Sequence, residues 1–297
     1  MIHTTIIGLG LIGGSLGLAL KKFGGGEWFI TGYSRRQETV KQALQQGAID
    51  QVGINAQEAV GAAELVVLAT PIGAIPNVLT EIAPHLKKGC VVTDTASTKE
   101  QVLKWALSSL PAGVLFIGGH PMAGKETWGF EVAESGLFEG ATYCLVPSSS
   151  TTPFAAELVT KMVKTILARP LILSANEHDR LVAGISHLPL VLSVTLAAIT
   201  QKYPSWPQMA ELAAGGYRDT TRLASGSPQM GRDICLTNKQ ALIAWIDRFI
   251  SELTQFKEKI DRGNSKEIEP ILNSAKDGRD LWYRQRFSSG GKTGKAN

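Results

Sequence analysis

The chain contains 297 residues, of which 44% are hydrophobic and 19% charged, and its formal net charge at pH 7 is +4. These values are ordinary for a globular protein and exclude a chain that is disordered as a whole. The length is sufficient for two domains with a sizeable core. Because the positive charge is small and spread along the chain, nucleic acid is not an expected partner.

The cysteines and the apolar stretches predict the compartment. Cys90, Cys144 and Cys235 lie far apart in apolar sequence and lack the spacing of a metal or redox site. We therefore expect three reduced core residues in a reducing compartment. No stretch is expected to be long and apolar enough to span a bilayer, so the sequence predicts a soluble, cytoplasmic protein without a membrane partner.

The first predicted element is an apolar strand over residues 4–7, which leads directly into a glycine-rich turn and a helical segment. Strand, turn and helix in this order form the dinucleotide-binding pattern GxGxxG. Gly8 allows the tight turn, Gly10 allows a pyrophosphate to approach the backbone, and Gly13 allows the helix to pack on the strand. The helix N-terminus attracts the phosphates. The predicted cofactor-binding residues of this turn are Gly8, Leu9, Gly10, Leu11, Ile12 and Gly13.

A second apolar strand over residues 28–32 completes a βαβ unit, and Ser34, Arg35 and Arg36 follow it. An NAD site places an acidic residue here to bind the ribose 2′-hydroxyl, whereas an NADP site lacks that acid and has a cation nearby. Ser34 takes the place of the acid and the two arginines supply the charge, which predicts NADP as the cofactor. Two solvated arginines at the start of a helix are the alternative interpretation.

Further apolar strands alternate with helical segments, which predicts a doubly wound parallel sheet covered on both faces. These strands are predicted over residues 64–70, 90–94, 115–118, 142–146 and 171–173. Ligands of such sheets bind outside the carboxyl ends of the strands. Polar clusters follow three of those ends, at residues 70–71, 94–99 and 120–124, so we expect one shared site. The residues predicted to contact the cofactor there are Thr70, Pro71, Asp94 and Ser97.

The pattern changes near Ser174, after which only helical stretches are predicted. Residues 176–202 are apolar nearly all round, with Pro189 expected to kink the helix. A helix of this kind must be buried, and a subunit interface is the expected place, so we expect a homodimer. The predicted organisation is a Rossmann-type α/β domain over residues 1–173, an all-α substrate and dimerisation domain over 174–287, and a disordered tail over 288–297.

Two strand-end residues are candidates for catalysis. His120 is expected on a loop directly after its strand, and a histidine pKa near neutrality suits removal of a proton from an alcohol during hydride transfer. A structural loop histidine is the alternative. Ser97 can bind the reacting oxygen or the nicotinamide amide, although the run from Ser97 to Glu100 is also typical of a capped helix start. No cluster has metal-ligand spacing, so no metal is expected.

The helical part contributes candidates for substrate binding. Arg222 lies in a run that begins with a glycine pair, and its guanidinium suits bidentate binding of a carboxylate. This predicts an acidic substrate, with an ion pair to Asp219 or Asp233 as the competing interpretation. His187 lies inside the apolar helix, where a core histidine is the usual interpretation, although the nearby Pro189 favours a function.

In combination, these motifs resemble the prephenate/arogenate dehydrogenases of tyrosine biosynthesis. The motifs lie at residues 8–15, 94–99, 119–124, 186–189 and 215–222. The resemblance implies an N-terminal Rossmann domain, a C-terminal helical dimerisation domain and an active site between them. It also implies oxidative decarboxylation, in which hydride passes from the substrate ring to NADP⁺ and the ring carboxylate leaves as CO₂.

The resemblance further implies roles for individual residues. His120 contacts the reacting hydroxyl, Ser97 supports that contact, and Arg222 binds a substrate carboxylate. His187 and the backbone of Gly215 lie near the substrate side chain. These roles are expectations for the structure to test.

One departure from the family pattern bears on the substrate. Prephenate-preferring members are expected to carry a large aromatic residue where this chain has Gly231. Together with the NADP-like Ser34, this departure favours arogenate, with prephenate as the alternative. Two other classes stay open. A β-hydroxyacid dehydrogenase or imine reductase would place its lysine acid/base group on the helical domain, and an NADP-sensing regulatory protein would bind the cofactor without turnover.

Overall fold

An eight-stranded sheet forms the centre of the first part of the chain. The structure, a computed structural model, describes residues 1–287, so the predicted tail over 288–297 lies outside the described residues. The strands are β1 (Ile2–Ile7), β2 (Trp28–Tyr33), β3 (Gln51–Val52), β4 (Leu65–Leu68), β5 (Val91–Asp94), β6 (Leu115–Pro121), β7 (Thr142–Pro147) and β8 (Arg169–Ile172). Their order in the sheet is β3-β2-β1-β4-β5-β6-β7-β8.

The order of the first six strands is the doubly wound order of dinucleotide-binding domains, which confirms the predicted fold class. Two details differ from prediction. β7 is antiparallel to β6, because residues 122–141 contain no crossover helix of the kind that a parallel neighbour requires. β3 was missed because its two residues, Gln51 and Val52, carry no readable periodicity.

The central strands are buried on both faces. Ile6 belongs to one buried apolar cluster and Ile7 to the other, and Val67 and Val66 divide in the same way. Because successive strand residues point to opposite faces, this division explains the continuous apolar runs in the sequence. The helices associated with the sheet are α1 (Leu11–Phe23), α2 (Gln37–Gln45), α3 (Ala56–Val60), α4 (Ile75–Ile82), α5 (Glu100–Ser109) and α6 (Pro153–Thr165).

Only helices follow β8 within the described residues, as predicted. They are α7 (Ala175–Val182), α8 (Leu188–Gln201), α9 (Trp206–Leu212), α10 (Gly215–Thr221), α11 (Pro228–Thr237), α12 (Lys239–Asp261) and α13 (Ser265–Phe287). A π-helical segment, Ala183–His187, joins α7 to α8, and Pro189 lies in the first turn of α8. The irregular hydrogen-bond pattern therefore falls just before the proline, and the kink expected there stays a prediction.

The stretch Ala175–Gln201 corrects one expectation. It is long and apolar enough to cross a membrane by length and composition, and 28% of its most apolar window is buried within the chain. The sequence expectation of no such stretch is wrong here, because Pro189 does not interrupt the helical run. Asp179 of this stretch accepts the N–H groups of Lys99 and Glu100, which ties α7 to the sheet region.

The chain divides into two compact units, Met1–Leu242 and Ile243–Asn297. The predicted boundary at residue 174 coincides with the change from strands to helices, but α7 to α11 share one compact unit with the sheet. Polar contacts such as that of Asp179 account for this. In the second unit several apolar side chains, including Leu253 and Ile260, are more than half exposed in the single chain.

The cysteines correct a further expectation. Cys90 and Cys144 are buried, as predicted, and burial raises the pKa of both thiols. Cys235 is exposed on α11, because its neighbour Ile234 takes the buried position of that helix turn. The expectation of three core cysteines is therefore correct for two of them.

Candidate active site

The glycine-rich turn between β1 and α1 has the shape that a dinucleotide pyrophosphate requires. Gly8 has a φ of +98°, and a Cβ there would lie 2.4 Å from the carbonyl oxygen of Ala69. A Cβ on Gly13 would lie 1.9 Å from the carbonyl oxygen of Gly8. Gly10, by contrast, faces open space and precedes α1 without a side-chain cap. The turn thus leaves room for phosphates at the N–H groups of the helix N-terminus, and it fits a dinucleotide cofactor without distinguishing NAD from NADP.

The predicted NADP determinant lies beside this turn. The N–H of Gly8 donates to the carbonyl of Tyr33, the last residue of β2, at 2.8 Å. The hydroxyl of Ser34 accepts the N–H of Arg36 at 3.4 Å. Arg35 and Arg36 are exposed. The end of β2 therefore offers a hydroxyl and two accessible cations at residues 34–36, where an NAD site would carry an acid.

The carboxyl ends of β4, β5 and β6 meet at a cavity of about 690 Å³. The three predicted polar clusters converge there, as expected for one edge of a parallel sheet. Gly10, Leu11 and Ile12 line the cavity from the fingerprint turn. The other predicted residues in its wall are Thr70, Pro71, Ser97, His120 and Arg222. Leu9 is 1% exposed in the core, so its side chain cannot reach a cofactor.

Asp94, which was predicted to contact the cofactor, is fully buried outside the cavity wall. Its carboxylate pairs with the ammonium of Lys99, which is also fully buried, and accepts the N–H groups of Ala96 and Gly119. Lys99 donates further to the carbonyl of Gly119 at 2.6 Å. Burial lowers the pKa of Lys99, and the charge of Asp94 opposes this shift. The pair therefore ties β5 to β6, and the Asp94 side chain is not available to a cofactor.

His120 lies within β6 and not on a loop after it, because β6 pairs with β7 as far as Pro121. Its side chain is 7% exposed and lines the cavity. The Nδ1 atom bonds to Nε2 of His178 at 2.9 Å. Burial, together with His178 and Lys99, holds the pKa of His120 well below its ordinary value. The resting imidazole is therefore neutral, which is the form that a general base needs.

Two adjacent residues that sequence reasoning missed connect His120 to the interior. His178 and Asp179 lie on α7 and are 0% and 3% exposed. His178 Nδ1 bonds to Asp179 Oδ1 at 2.7 Å. The same carboxylate accepts the N–H groups of Lys99 at 2.8 Å and of Glu100 at 2.9 Å. The available signal was an adjacent His-Asp pair at the start of an apolar helical stretch, where buried charge requires partners.

Ser97 lies in the cavity wall, as predicted, but does not cap a helix. α5 begins at Glu100, and its N-cap residue, Lys99, makes no side-chain cap. Asp179 fulfils that function from α7. The capping interpretation of the run from Ser97 to Glu100 is therefore wrong, and the Ser97 hydroxyl stays available for a ligand.

His187 is fully buried and lies outside the cavity wall. Its Nδ1 bonds to Nδ2 of Asn238 at 3.1 Å, and Asn238 donates to the carbonyl of Asp179 at 2.8 Å. Burial lowers the pKa of His187 to about 4. This arrangement matches the core-histidine interpretation of the sequence.

Arg222 lies in the cavity wall, where its guanidinium pairs with the carboxylate of Glu126. The alternative pairs with Asp219 and Asp233 do not form, since other arginines bind those carboxylates. The side chains of Arg222 and Glu126 are 57% and 34% exposed, so both charges are accessible. Gly215 begins α10 and lies outside the wall.

Helix α11 lines the cavity through Met230 and Ile234. Asp233 accepts the N–H of Gly73 at 2.9 Å, next to the loop that follows β4. A Cβ on Gly231 would lie 3.7 Å from Leu190, an ordinary contact, so packing does not require glycine there. Gly231 itself lies outside the cavity wall, although its neighbour Met230 is part of it.

The cavity wall thus offers the neutral imidazole of His120, several hydroxyl groups that include that of Ser97, and an accessible arginine–glutamate pair. Such a set can accept a proton from an alcohol and can bind groups of either charge. Within residues 1–287, no group of three or more His, Cys, Asp and Glu side chains is arranged to hold a metal ion.

Comparison with protein families identifies both parts of the chain. Residues 16–172 match the family described as prephenate dehydrogenase, nucleotide-binding domain, and residues 174–274 match prephenate dehydrogenase, dimerization domain. The chain belongs to the prephenate dehydrogenase family. The resemblance that the motifs indicated is therefore confirmed.

Individual relatives of the family agree with this assignment. The prephenate dehydrogenase of Bacillus subtilis is 36% identical over 95% of this chain and 76% of that protein. The crystal structure of Synechocystis arogenate dehydrogenase gives a TM-score of 0.80 at 30% identity, covering 95% of this chain and 100% of that chain. The crystal structure of prephenate dehydrogenase from A. aeolicus, in complex with hydroxyphenyl propionate and NAD⁺, gives a TM-score of 0.85 at 28% identity. It covers 95% of this chain and 98% of that chain. This chain is an oxidoreductase of the prephenate/arogenate dehydrogenase type, a family of tyrosine biosynthesis.

Proposed function

We propose that this enzyme converts arogenate to tyrosine by oxidative decarboxylation, with NADP⁺ as the hydride acceptor. The ring hydroxyl loses its proton as hydride leaves the same carbon, and the ring carboxylate departs as CO₂. The electrons of the broken carbon–carboxylate bond complete the aromatic ring. Hydride reduces NADP⁺ to NADPH, and no proton is consumed overall. The base must therefore return its proton to the phenol oxygen.

The observation that carries the choice of arogenate is the ion pair of Arg222 and Glu126 in the cavity wall. Arogenate carries a carboxylate and an ammonium group on one side-chain carbon, whereas prephenate has a keto group in place of the ammonium. Arg222 suits the carboxylate, and Glu126 suits the ammonium. Gly231 supports the same choice through the sequence alone, since prephenate-preferring relatives are expected to carry an aromatic residue at this position.

The reacting end of the site is assigned to His120 and Ser97. His120 is neutral and lines the cavity, so it can accept the hydroxyl proton and return it after aromatisation. Ser97 lies in the same wall, where its hydroxyl can donate to the reacting oxygen and hold it against the imidazole.

The residues that would hold NADP⁺ are the fingerprint turn and the end of β2. Gly10 and the N-terminus of α1 would bind the pyrophosphate, and Arg35 and Arg36 would bind the 2′-phosphate. When bound, the nicotinamide supplies the hydride acceptor. Replacing Ser34 by Asp should favour NAD⁺ by repelling the 2′-phosphate, and an unchanged ratio of kcat/KM for the two cofactors would refute the assignment.

The variant Glu126→Gln tests the choice of substrate. It removes the anion but keeps the size of the side chain, so KM for arogenate should rise about tenfold while KM for prephenate stays within about twofold. Equal effects on both substrates would show that Glu126 does not recognise the ammonium group.

Prephenate is the second candidate, and the observation in its favour is the 36% identity to the prephenate dehydrogenase of B. subtilis.

The proposed assembly is a homodimer, since residues 174–274 match a dimerization domain. We propose the cytoplasm as its compartment, because its relatives are biosynthetic enzymes.

A further inference from the structure

The imidazole of His120 ends a buried chain of polar side chains. Asp179 bonds to His178 at 2.7 Å, and His178 bonds to His120 at 2.9 Å. Their exposed fractions are 3%, 0% and 7%, so water does not compete for these bonds. Asp179 is itself fixed, because it accepts two backbone N–H groups from the N-terminus of α5.

The carboxylate of Asp179 determines which atom donates in both hydrogen bonds of the series from Asp179 through His178 to His120. An ionised carboxylate only accepts, and the N-terminus of α5 favours its negative charge. His178 must therefore carry its proton on Nδ1, and a neutral ring then leaves Nε2 as an acceptor. His120 must in turn donate from Nδ1. Its Nε2 keeps the lone pair and is the ring nitrogen left for a ligand in the cavity.

We propose that His178 and Asp179 are positioning residues that hold His120 in the tautomer protonated on Nδ1, with Nε2 as the proton-accepting atom. The reacting proton passes from the substrate hydroxyl to Nε2 and returns by the same route. While Nε2 holds that proton, the charge on His120 is stabilised by its bond to His178 and by the carboxylate beyond it. This inference deepens the proposed function and rests on it only for the identity of the alcohol.

Asn238 supports the arrangement from a second side. Its amide donates to the backbone carbonyl of Asp179 at 2.8 Å, and it is 5% exposed. The backbone and the carboxylate of Asp179 are therefore fixed independently. Fixed supporting groups of this kind keep a catalytic side chain in one rotamer and one protonation pattern.

The direct test is ¹⁵N NMR of the substrate-free enzyme labelled in its five histidines. The variant His120→Asn identifies the His120 signals by their loss. At neutral pH we expect a protonated Nδ1 and an unprotonated Nε2 for His120. A His120 ring protonated on Nε2 would overturn the inference. This measurement involves no substrate, so its outcome is independent of whether arogenate or prephenate is turned over.

Two variants of His178 test the consequence for catalysis. His178→Gln keeps a donor toward Asp179 and an acceptor toward His120, whereas His178→Leu removes both. With whichever substrate is turned over, the Leu variant should lose about 10²-fold in kcat with KM nearly unchanged, and the Gln variant should stay within about tenfold of the parent. Equal kcat for Gln and Leu variants, at temperatures where both are folded, would refute the positioning role. If the Leu variant does not fold, the Gln variant and the NMR tautomer still decide.

Discussion

The two ends of the cavity are held by different kinds of interaction. At the reacting end, His120 and the Asp94–Lys99 pair are buried, and their polar groups are bonded to fixed partners. At the other end, Arg222 and Glu126 form a partly exposed pair. Buried pairs are costly to break, whereas exposed pairs contribute little to stability. We infer that the buried residues around His120 determine the chemistry of the reaction, whereas the exposed pair of Arg222 and Glu126 determines which substrate binds.

The largest expected effect comes from breaking the buried end. Lys99→Met leaves the Asp94 charge without its cation, which should lower the free energy of unfolding by about 3–5 kcal/mol. Lys161→Met is the matched control, since its pair with Glu27 has side chains that are 48% and 57% exposed. That control should cost at most about 1 kcal/mol. Denaturant unfolding measures both, and equal losses would contradict the distinction between the two kinds of pair.

Removal of the His120 imidazole is expected to lower kcat without a comparable loss in the free energy of unfolding. His120→Asn should lower kcat by about 10²-fold or more, because the hydroxyl proton loses its acceptor. The dissociation constant for NADP⁺ should stay the same, and steady-state kinetics with a cofactor titration measures both. Full activity of this variant would disprove the general-base assignment.

The exposed end should affect binding more than turnover. Arg222→Ala removes a charged hydrogen-bond partner of the substrate carboxylate, so KM should rise about 10- to 100-fold with kcat changed much less. The unfolding free energy should stay within about 1 kcal/mol, since the pair with Glu126 is partly exposed. An unchanged KM would remove the carboxylate role from Arg222.

The smallest expected effect is on the pH dependence of kcat/KM, which depends on the burial of His120. Burial holds the pKa of His120 well below its ordinary value of 6.5, and the base works only in its neutral form. As pH falls, kcat/KM should therefore stay level through 6.5 and decline only at lower pH. A decline centred at 6.5 would show that the imidazole is solvated in the free enzyme.

Sequence patterns predicted most of the fold because the fold depends on local signals. The glycine spacing of the turn and the apolar runs of β4 and β5 can be read from single stretches of chain. The convergence of Thr70, Ser97 and His120 followed from the rule that parallel strands end at one edge of the sheet. The antiparallel β7 was not predicted, because pairing direction leaves no periodic signal in a strand whose four central residues are all buried.

The supporting groups of the site could not be predicted in the same way. Asp179 contacts Lys99 across 80 positions of sequence, and His178 contacts His120 across 58. Such bonds depend on how α7 packs on the sheet, which no local pattern encodes. For the same reason, the sequence assigned the cap of α5 to its own residues, whereas Asp179 supplies it.

The most direct test of the central claim is a set of initial rates with arogenate and with prephenate, each offered NADP⁺ and NAD⁺. The Arg222–Glu126 pair, which presents both charges, and Ser34, which follows β2 beside the fingerprint turn, together predict fast turnover of arogenate with NADP⁺ and slow turnover in the other three combinations. Preference for prephenate with NAD⁺ would leave the buried end and its chemistry intact but contradict the selection that we assign to the exposed end.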